Sequence, residues 1–262
     1  LPNFYAVYSF GNMGSVRHAV YFQAGIVAGG GTLDWKDGTI GTYVKYTDAF
    51  NAHGGVKDHA FSVSSVYYGI GAGVAYSFFK DMVSVSAGGR MVMPDRWVEL
   101  SAQSVNIQGG HILGDCITFK GKYSYKSLGY TPIIGVDVKP LKGLTIGARY
   151  EFETDLVFEY KEESLYVDPE SVLLGLVNVR DTVEEGLAAS GLYDGNRFNM
   201  NLPAIISTGA EYDLSAYISG LSVMGSATFY LMQEADLGPY YDDGDRIGNV
   251  NEFYGLGWEA GL

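Results

Sequence analysis

The sequence predicts an all-β fold, an antiparallel transmembrane β-barrel with long extracellular loops, and three observations lead to this prediction. Glycine and tyrosine are frequent, with 36 Gly and 21 Tyr in 262 residues, while charged residues make up only 18%. Apolar residues alternate with polar or small residues over long segments. The connections between these segments are alternately short and long. Strands with one face toward lipid and one toward a lumen have this pattern.

The composition also argues against several other classes of protein. No window approaches the ~20 consecutive apolar residues that a membrane-spanning helix needs. The net charge of −13 argues against a nucleic-acid partner, because a phosphate-binding surface needs excess positive charge. Cys116 is the single cysteine, so neither an intrachain disulfide nor a thiolate cluster is predicted. We expect no cofactor.

The clearest predicted strand covers residues 66–78, where apolar side chains occupy every second position. The apolar face, which we expect to meet lipid, carries Val66, Tyr68, Ile70, Ala72, Val74, Tyr76 and Phe78. The alternate positions carry mostly small residues, which suit a crowded lumen or a bend: Tyr67, Gly69, Gly71, Gly73, Ala75 and Ser77. After a tight connection at residues 79–81 the alternation resumes over 83–91, which predicts a hairpin.

A second predicted hairpin joins residues 134–138 to 144–152 through a turn at 140–143. Charged side chains in both hairpins fall on one face. An arginine or lysine facing lipid near the bilayer centre costs ~2–4 kcal/mol, so we expect Arg90 and Arg149 to point into the lumen.

Further strands are predicted at residues 203–212, 221–232 and 252–262, with less clear ones near 4–10, 16–27 and 41–47. The predicted short connections are 79–81, 140–143 and 214–220, and the long ones are 95–130, 161–201 and 233–251. Short turns on one side and long extracellular loops on the other are typical of outer-membrane barrels.

The connection at residues 161–201 contains one predicted helix, with Asp168 as N-cap and Pro169 at the first helical position. Its apolar stripe consists of Val172, Leu176, Val179, Val183 and Leu187. Such a stripe either packs against the barrel mouth or meets a hydrophobic ligand there.

Three stretches carry a resemblance to a known family: GVAYSFFKDMVSVSAGGRM, GVDVKPLKGLTIGARYEFETDLVFEY and NLPAIISTGAEYDL. They resemble the FadL/OmpP1/TodX family of outer-membrane transporters for hydrophobic compounds. The resemblance covers mainly residues 66–158 and 202–262 and rests on strand patterns. It implies a barrel of about fourteen strands with an N-terminal hatch, an apolar groove among the extracellular loops, and release of ligand sideways through the wall.

The resemblance implies that the chain is an uptake channel of the bacterial outer membrane for compounds such as long-chain fatty acids. Its implied partners are the lipid bilayer, lipopolysaccharide and a hydrophobic small molecule. Val172, Leu176, Val179 and Val183 are the implied contacts for ligand in the outer groove. No Asn-Pro-Ala hatch segment occurs near Leu1, and the chain ends within an apparent strand. We therefore expect residues 1–262 to be one barrel domain that lacks its hatch and its C-terminal strands.

Arg149, Arg90 and Lys139 are candidate lumen cations that could hold a fatty-acid carboxylate through charge-assisted hydrogen bonds. The alternative is a structural ladder in which the arginines pair with lumen carboxylates. Asp137, Glu151 and Glu211 could serve as those partners.

Other functions have weaker support. The acidic run Asp242, Asp243 and Asp245 lacks the spacing of an EF-hand, so a solvated loop is favoured over a Ca²⁺ site. A lipase is disfavoured because no G-x-S-x-G occurs and none of the four histidines, His18, His53, His59 and His111, lies in a nucleophile motif. The alternatives that stay open are a structural or adhesive barrel and a general porin.

Overall fold

The computed structural model describes residues 3–13, 16–38, 56–104, 117–168, 171–172, 177–189, 193–242 and 245–261. These ranges contain sixteen strands, one α-helix, α1 (Val179–Ala189), and one 3₁₀ helix (Val250–Phe253). No helix in the described ranges is long and apolar enough to cross a membrane.

The strands in chain order are β1 (Asn3–Met13), β2 (Val16–Trp35), β3 (Val56–Phe78), β4 (Val83–Ser104), β5 (Thr118–Lys126), β6 (Gly129–Leu141), β7 (Leu144–Glu151), β8 (Val157–Asp168), β9 (Ser171–Val172), β10 (Val177–Asn178), β11 (Arg197–Asn199), β12 (Ile205–Asp213), β13 (Ser222–Tyr230), β14 (Pro239–Asp242), β15 (Asp245–Asn249) and β16 (Gly257–Gly261). Strands β9 and β10 form one hairpin, and β14 and β15 form another. The other twelve strands belong to a single sheet.

The large sheet has the strand order β1-β2-β3-β4-β6-β7-β12-β13-β16, and every pairing in it is antiparallel. Strands β5, β8 and β11 continue the ladder beyond β6, β7 and β12: β5 pairs with the far part of β4 and with β8, and β8 pairs with β11. Within the described residues, β1 and β16 are edges and the sheet stays open. This confirms the predicted class, an antiparallel and incomplete barrel.

Short connections lie together at one end of the sheet, which we call the turn end; the opposite end is the loop end. The β3–β4 turn contains three successive non-glycine residues with positive φ, Phe79, Lys80 and Asp81. It is closed by a 3.0 Å hydrogen bond from the amide of Met82 to the carbonyl of Phe78. The β6–β7 connection is shorter still, because only residues 142 and 143 lie between the two strands, so the predicted turns at 79–81 and 140–143 are confirmed.

The β12–β13 connection also lies at the turn end and is ordered by local hydrogen bonds. Ser215 donates to the Asp213 carboxylate through its hydroxyl and through its amide. These two hydrogen bonds, the hydroxyl first, hold the pKa of Asp213 below its ordinary value.

The long loops predicted for the loop end were too long. Much of the connection expected at 95–130 is strand, because β4 runs on to Ser104 and pairs there with β5. The hairpin β14–β15 likewise occupies part of the connection expected at 233–251. Period-two alternation continues past the expected end of β4, and this alternation favours continued strand pairing there.

The less clear early strands are confirmed by β1 and β2, whereas the strand expected at 41–47 lies outside the described residues. The last predicted strand began too early, since residues 250–253 form the 3₁₀ helix and β16 begins at Gly257.

The two faces of the sheet are sorted as expected. The outer face exposes a broad set of apolar side chains, which includes Tyr68, Ile70, Val85, Ile134, Ile146 and Trp258. Arg90 and Arg149 lie on the opposite, inner face, where both contact Glu151. The expected inward direction of these arginines is therefore confirmed.

Candidate ligand-binding site

The inner face of the sheet differs between its two ends. Toward the turn end it carries mainly small and polar side chains, for example Ser86 and Ser207, which line a cavity. Toward the loop end it carries buried aliphatic and aromatic side chains, for example Val92 and Phe158. We call these regions the turn half and the loop half of the interior.

Glycines in the turn half make room for an aromatic ring. Gly73 lies opposite Tyr21 on β2 and opposite Gly88 on β4. A Cβ atom at Gly73 or at Gly88 would overlap the Tyr21 side chain and a backbone carbonyl of the neighbouring strand. The small residues predicted for the lumen face of β3 are therefore required, because the Tyr21 ring lies across the glycine pair.

The turn half borders an open cavity of about 640 Å³. Its lining comes from strands on both sides of the sheet, including Tyr5 of β1, Tyr21 of β2, Arg149 of β7 and Met224 of β13. Residues of β1 and β13 can line one cavity only if the sheet curves around it. The cavity is therefore the lumen of the curved sheet.

Arg90, Glu151 and Arg149 form one ion-pair network at the border between the two halves. Nη2 of Arg90 contacts Oε2 of Glu151, and Nη2 of Arg149 lies 2.8 Å from Oε1 of the same carboxylate. The side chains of Arg90 and Glu151 are each 10% exposed, whereas that of Arg149 is 36% exposed and lines the cavity. Of the three carboxylates considered in the sequence, Glu151 is the one that pairs with both arginines.

Donor atoms remain unused around this network. Nε of Arg90, Nε of Arg149 and Nε2 of Gln23 are buried and have no hydrogen-bond partner in the described part of the chain. One carboxylate also balances only one of the two guanidinium charges. Asp137 and Glu211 line the same cavity, so the turn half as a whole is not cationic.

Lys139 lies away from Arg90 and Arg149. Arg149 pairs with Gly135 of β6, and Lys139 lies four residues further toward the turn end of that strand. At a rise of about 3.3 Å per residue, roughly 13 Å of strand separates the two levels. Lys139 is exposed, and its amide donates to the carbonyl of Met82.

The loop half is filled by two adjoining clusters. One is centred on Tyr123 and Tyr160, whose rings stack with centroids 4.9 Å apart. The other contains Tyr67, Val92 and Phe158, and the Phe158 ring stacks on Phe198 at 5.8 Å. This half is therefore packed with aromatic side chains, whereas the turn half has open space.

The predicted helix start at Asp168 was wrong. Asp168 is the last residue of β8 and pairs with Thr118 of β5, which keeps the chain extended at the expected N-cap. The helix begins later, and Asn178 supplies the cap: its Oδ1 accepts from the amide of Asp181 at 3.2 Å.

The structure describes the predicted apolar stripe only in part. Val179 is 5% exposed within the Tyr123–Tyr160 cluster, and Val183 packs against that cluster. The backbone of Val172 pairs with Val177, while its side chain and Leu176 lie outside the described residues. Burial of Val179 favours packing, the first of the two roles considered for the stripe.

Arg96 is a residue of the inner face that the sequence prediction missed. Its guanidinium carbon lies 5.6 Å from the ring centroid of Tyr125 and 5.3 Å from that of Phe158. Nη1 of Arg96 also contacts Sδ of Met200. Extending the alternation of β4 from Arg90 by three steps would have placed Arg96 on the inner face, but the segment was expected to be a loop.

The structure also describes parts of two other features considered in the sequence, the acidic run and the histidines. Asp242 and Asp245 face each other in the β14–β15 hairpin, and Asp243 lies outside the described residues. No described group of three or more His, Cys, Asp or Glu residues is arranged to hold a metal ion. The His18 ring packs edge-on against Tyr76 at 5.2 Å, while His53 and His111 lie outside the described residues.

Comparison with known proteins yields a structural match. No protein-family model and no curated protein sequence matches the chain. The fold is similar to the crystal structure of a FadL homologue from Pseudomonas aeruginosa, with a TM-score of 0.60 and 17% sequence identity. The match covers 98% of this chain and 54% of the other, so this chain spans about half the length of that protein. The chain thus has a FadL-like barrel fold.

Proposed function

We propose that this chain belongs to a bacterial outer-membrane channel that takes up hydrophobic compounds such as long-chain fatty acids. The observation that carries the proposal is the division of the interior within a FadL-like fold. A loop half packed with aromatic side chains adjoins a turn half with an open cavity. Apolar compounds are attracted to the first region and have room to pass through the second.

The outer face supports a membrane location for this channel. Its apolar side chains lie in rows along neighbouring strands, while Arg90 of β4 contacts Glu151 of β7 inside, where Arg149 contacts the same carboxylate. The proposed partners of the outer face are the lipid bilayer and, around the loop end, lipopolysaccharide. No partner is proposed among nucleic acids, because the chain carries a net charge of −13.

Within this proposal, Arg149 is the cavity-lining cation that meets an anionic end group as it passes. Its side chain is 36% exposed and its Nε has no described partner. Arg90 acts mainly by holding Glu151 in place, and Lys139 lies nearer the turn end on the exit side. Val179 and Val183 contribute packing in the loop half, and Val172 and Leu176 stay candidate contacts for the ligand, as the resemblance implies.

Uptake by cells tests the function. The natural full-length protein is expressed in a bacterium that lacks its own channel for hydrophobic compounds, and entry of radiolabelled dodecanoate, naphthalene and a disaccharide is measured. Faster entry of dodecanoate and naphthalene, with the disaccharide unchanged, is expected. Faster entry of the disaccharide would point to a general porin, and no change for any compound would point to a structural or adhesive barrel.

A folded Arg149→Ala variant tests the assigned residue. We expect slower entry of dodecanoate and unchanged entry of naphthalene, because only dodecanoate carries a charge for Arg149 to meet. Arg197→Ala is the matched control, since Arg197 is 70% exposed and pairs with Glu159. Dodecanoate entry that equals that of the control would remove Arg149 from the site.

A further inference from the structure

Four lysines lie together on the outer face of the loop end, on the neighbouring strands β5 and β8. Along β5 the side chains of Phe119 and Tyr123 are buried in the interior, so the alternate positions face outward. Three of these outward positions carry exposed lysines, and β8 adds a fourth across from Ser124: Lys120, Lys122, Lys126 and Lys161. We call Lys122, Lys126 and Lys161 the lysine patch.

Glu163 lies among the lysines of the patch. The Ser124 hydroxyl donates to Oε1 of Glu163 at 2.7 Å, and this hydrogen bond holds the pKa of Glu163 below its ordinary value. The charges of Lys161, Lys126 and Lys122 lower that pKa further, so all three charges reach the same carboxyl group. One carboxylate balances only one of three ammonium charges. No carboxylate of a described residue forms an ion pair with a lysine of the patch.

The lysine patch begins where the apolar band of the outer face ends. On β4 the outward positions from Val83 to Met93 are apolar residues or glycine. Ten steps of about 3.3 Å along a strand tilted by about 40° span roughly 25 Å across a membrane, which is the height of the apolar band of an outer-membrane barrel. Asp95 is the next outward residue and pairs with Lys126. The lysines therefore lie just outside the hydrocarbon, at the level of lipid head groups.

Trp97 on β4 marks the same level. It lies on the outer face across from Ser124, and the Lys122 ammonium group lies 5.3 Å from the centroid of its ring. Tryptophan is enriched where a membrane meets water, because its ring is amphipathic. The position of Trp97 thus agrees with a membrane surface at the patch.

Charged side chains on both sides limit the extent of the patch. Asp95 and Glu99 border it on β4, and Glu159 on β8 is paired with Arg197. The chain as a whole carries a net charge of −13. The positive charge is therefore local, which suits one small anionic group better than an extended polyanion.

We propose that the lysine patch binds a phosphate group of lipid A, the membrane anchor of lipopolysaccharide. The phosphorylated sugars of lipid A lie directly above its acyl chains. A phosphate at the patch therefore leaves the acyl chains against the apolar band below it. Lysine ammonium groups bind phosphate as point charges. This inference rests on the proposed function for one point, the location of the loop end at the outer surface of the outer membrane.

Matched lipids test the patch on the full-length protein in a nonionic detergent. Native mass spectrometry measures the affinities for diphosphoryl lipid A, for the same acylated disaccharide without phosphate, and for phosphatidylglycerol. Wild type is expected to prefer diphosphoryl lipid A over both other lipids. The double variant Lys126→Gln and Lys161→Gln should bind diphosphoryl lipid A about tenfold more weakly, as expected for loss of two charges beside an anionic lipid. Its affinity for the phosphate-free lipid should be unchanged.

Two further variants have opposite and null expectations. Glu163→Gln keeps an acceptor for Ser124 but removes the negative charge among the lysines, so it should strengthen binding of diphosphoryl lipid A about twofold to fivefold. Lys80→Gln combined with Lys142→Gln removes two exposed lysines at the turn end and should leave this binding unchanged.

Three results would overturn the inference. The double variant of the patch could bind diphosphoryl lipid A as wild type does, which would remove the lysines from the site. Equal binding of the phosphate-free lipid by wild type would exclude phosphate recognition. Equal binding of phosphatidylglycerol would exclude lipid A as the specific partner.

Uptake of dodecanoate and naphthalene separates the inference from the proposed function. The double variant of the patch should admit both compounds at the wild-type rate. Loss of lipid A preference with normal uptake by wild type would overturn the patch alone. No uptake by a wild-type protein that prefers diphosphoryl lipid A would overturn the proposed function and leave the patch in place.

Wild-type protein provides a second measurement that does not depend on the folding of a variant. Exposed lysines are acetylated with a water-soluble reagent, and the products are quantified by peptide mass spectrometry. Diphosphoryl lipid A should protect Lys126 and Lys161 and leave Lys80 and Lys142 reactive. The phosphate-free lipid should protect neither pair. Equal protection of both pairs, or equal protection by both lipids, would contradict the assignment.

Discussion

The turn half and the loop half of the interior are built on the same strands but are filled differently. On β4, Gly88 in the turn half has no side chain and lies under the ring of Tyr21. Val92, four residues further along the strand, is fully buried in an aromatic cluster. One region leaves a cavity, and buried aromatic and aliphatic side chains fill the other. A single barrel strand can thus line an open lumen at one level and a packed core at the next.

The difference between the two halves indicates which of them contributes more to the stability of the fold. Burial of large apolar side chains is the main stabilising contribution, at about 1.5–3 kcal/mol for each fully buried side chain. Those side chains are concentrated in the loop half. The turn half depends instead on the sheet ladder, on one ion-pair network and on close packing over glycine.

The largest expected effect is at Phe158 in the loop half. Phe158 is fully buried and stacks on Phe198. We expect Phe158→Ala to lower the free energy of unfolding by about 4 kcal/mol, through lost burial and the cavity left behind. Urea unfolding of the full-length protein in lipid vesicles measures this change. Ile134→Ala on the outer face, where Ile134 is 48% exposed, is the control with a smaller expected loss; equal losses would contradict the contrast.

Next in size is the ion-pair network at the border of the halves. Glu151→Gln removes the only described carboxylate that pairs with Arg90 and with Arg149. A loss of about 3 kcal/mol is expected, because a nearly buried charge is left without its partner. Glu159→Gln is the control: Glu159 and Arg197 are 53% and 70% exposed, and such a pair contributes at most about 1 kcal/mol. If both variants unfold at the same urea concentration as wild type, the network does not stabilise the border.

A smaller effect is expected where Tyr21 lies over glycine. Gly73→Ala should cost about 2 kcal/mol, because the new methyl group overlaps the Tyr21 side chain and the carbonyl of Ala87. At Gly209 the nearest atoms to an added Cβ lie at 3.4 and 3.9 Å, which is ordinary contact. Gly209→Ala should therefore be tolerated. Thermal unfolding of both variants distinguishes them. An unchanged unfolding temperature for Gly73→Ala would contradict the close packing of Tyr21 over Gly73.

The smallest effect belongs to the turn end. Lys80 has a φ of 56° within the β3–β4 turn, a left-handed conformation that costs a side chain roughly 1–2 kcal/mol relative to glycine. Lys80→Gly should raise the free energy of unfolding by about 1 kcal/mol, after the greater unfolded-state entropy of glycine is offset. Lys142→Gly in the β6–β7 turn is the control and should lower it slightly, because Lys142 has no positive φ. A lower free energy of unfolding for Lys80→Gly than for Lys142→Gly would contradict this expectation.

The turn half could be predicted from the sequence in some detail. Alternation over residues 66–91 fixed the two faces of β3 and β4, the inward direction of Arg90 and the need for small residues at Gly69, Gly71 and Gly73. These features depend on neighbours in one strand or one hairpin. The choice of Glu151 among three carboxylates depends on register across β4, β6 and β7, which the sequence does not give.

The loop half was predicted less well because its structure depends on distant pairings. Pro94 and Asp95 are typical of a turn, yet β4 continues through them because β3 and β5 pair with it on either side. Asp168 followed by Pro169 is a good helix start, yet its pairing with Thr118 keeps it extended. Arg96 was missed because this part of β4 was expected to be a loop.

The most direct test of the account is to locate a bound apolar compound within the full-length protein. Crystals soaked with a bromine-tagged long-chain alcohol give an anomalous signal that marks the position of the ligand. We expect the signal inside the barrel beside Tyr125, Phe158 and Phe198, with the chain directed toward the cavity that Arg149 lines. A signal found only on the outer surface, with no density in the interior, would contradict the claim that the loop half receives hydrophobic compounds.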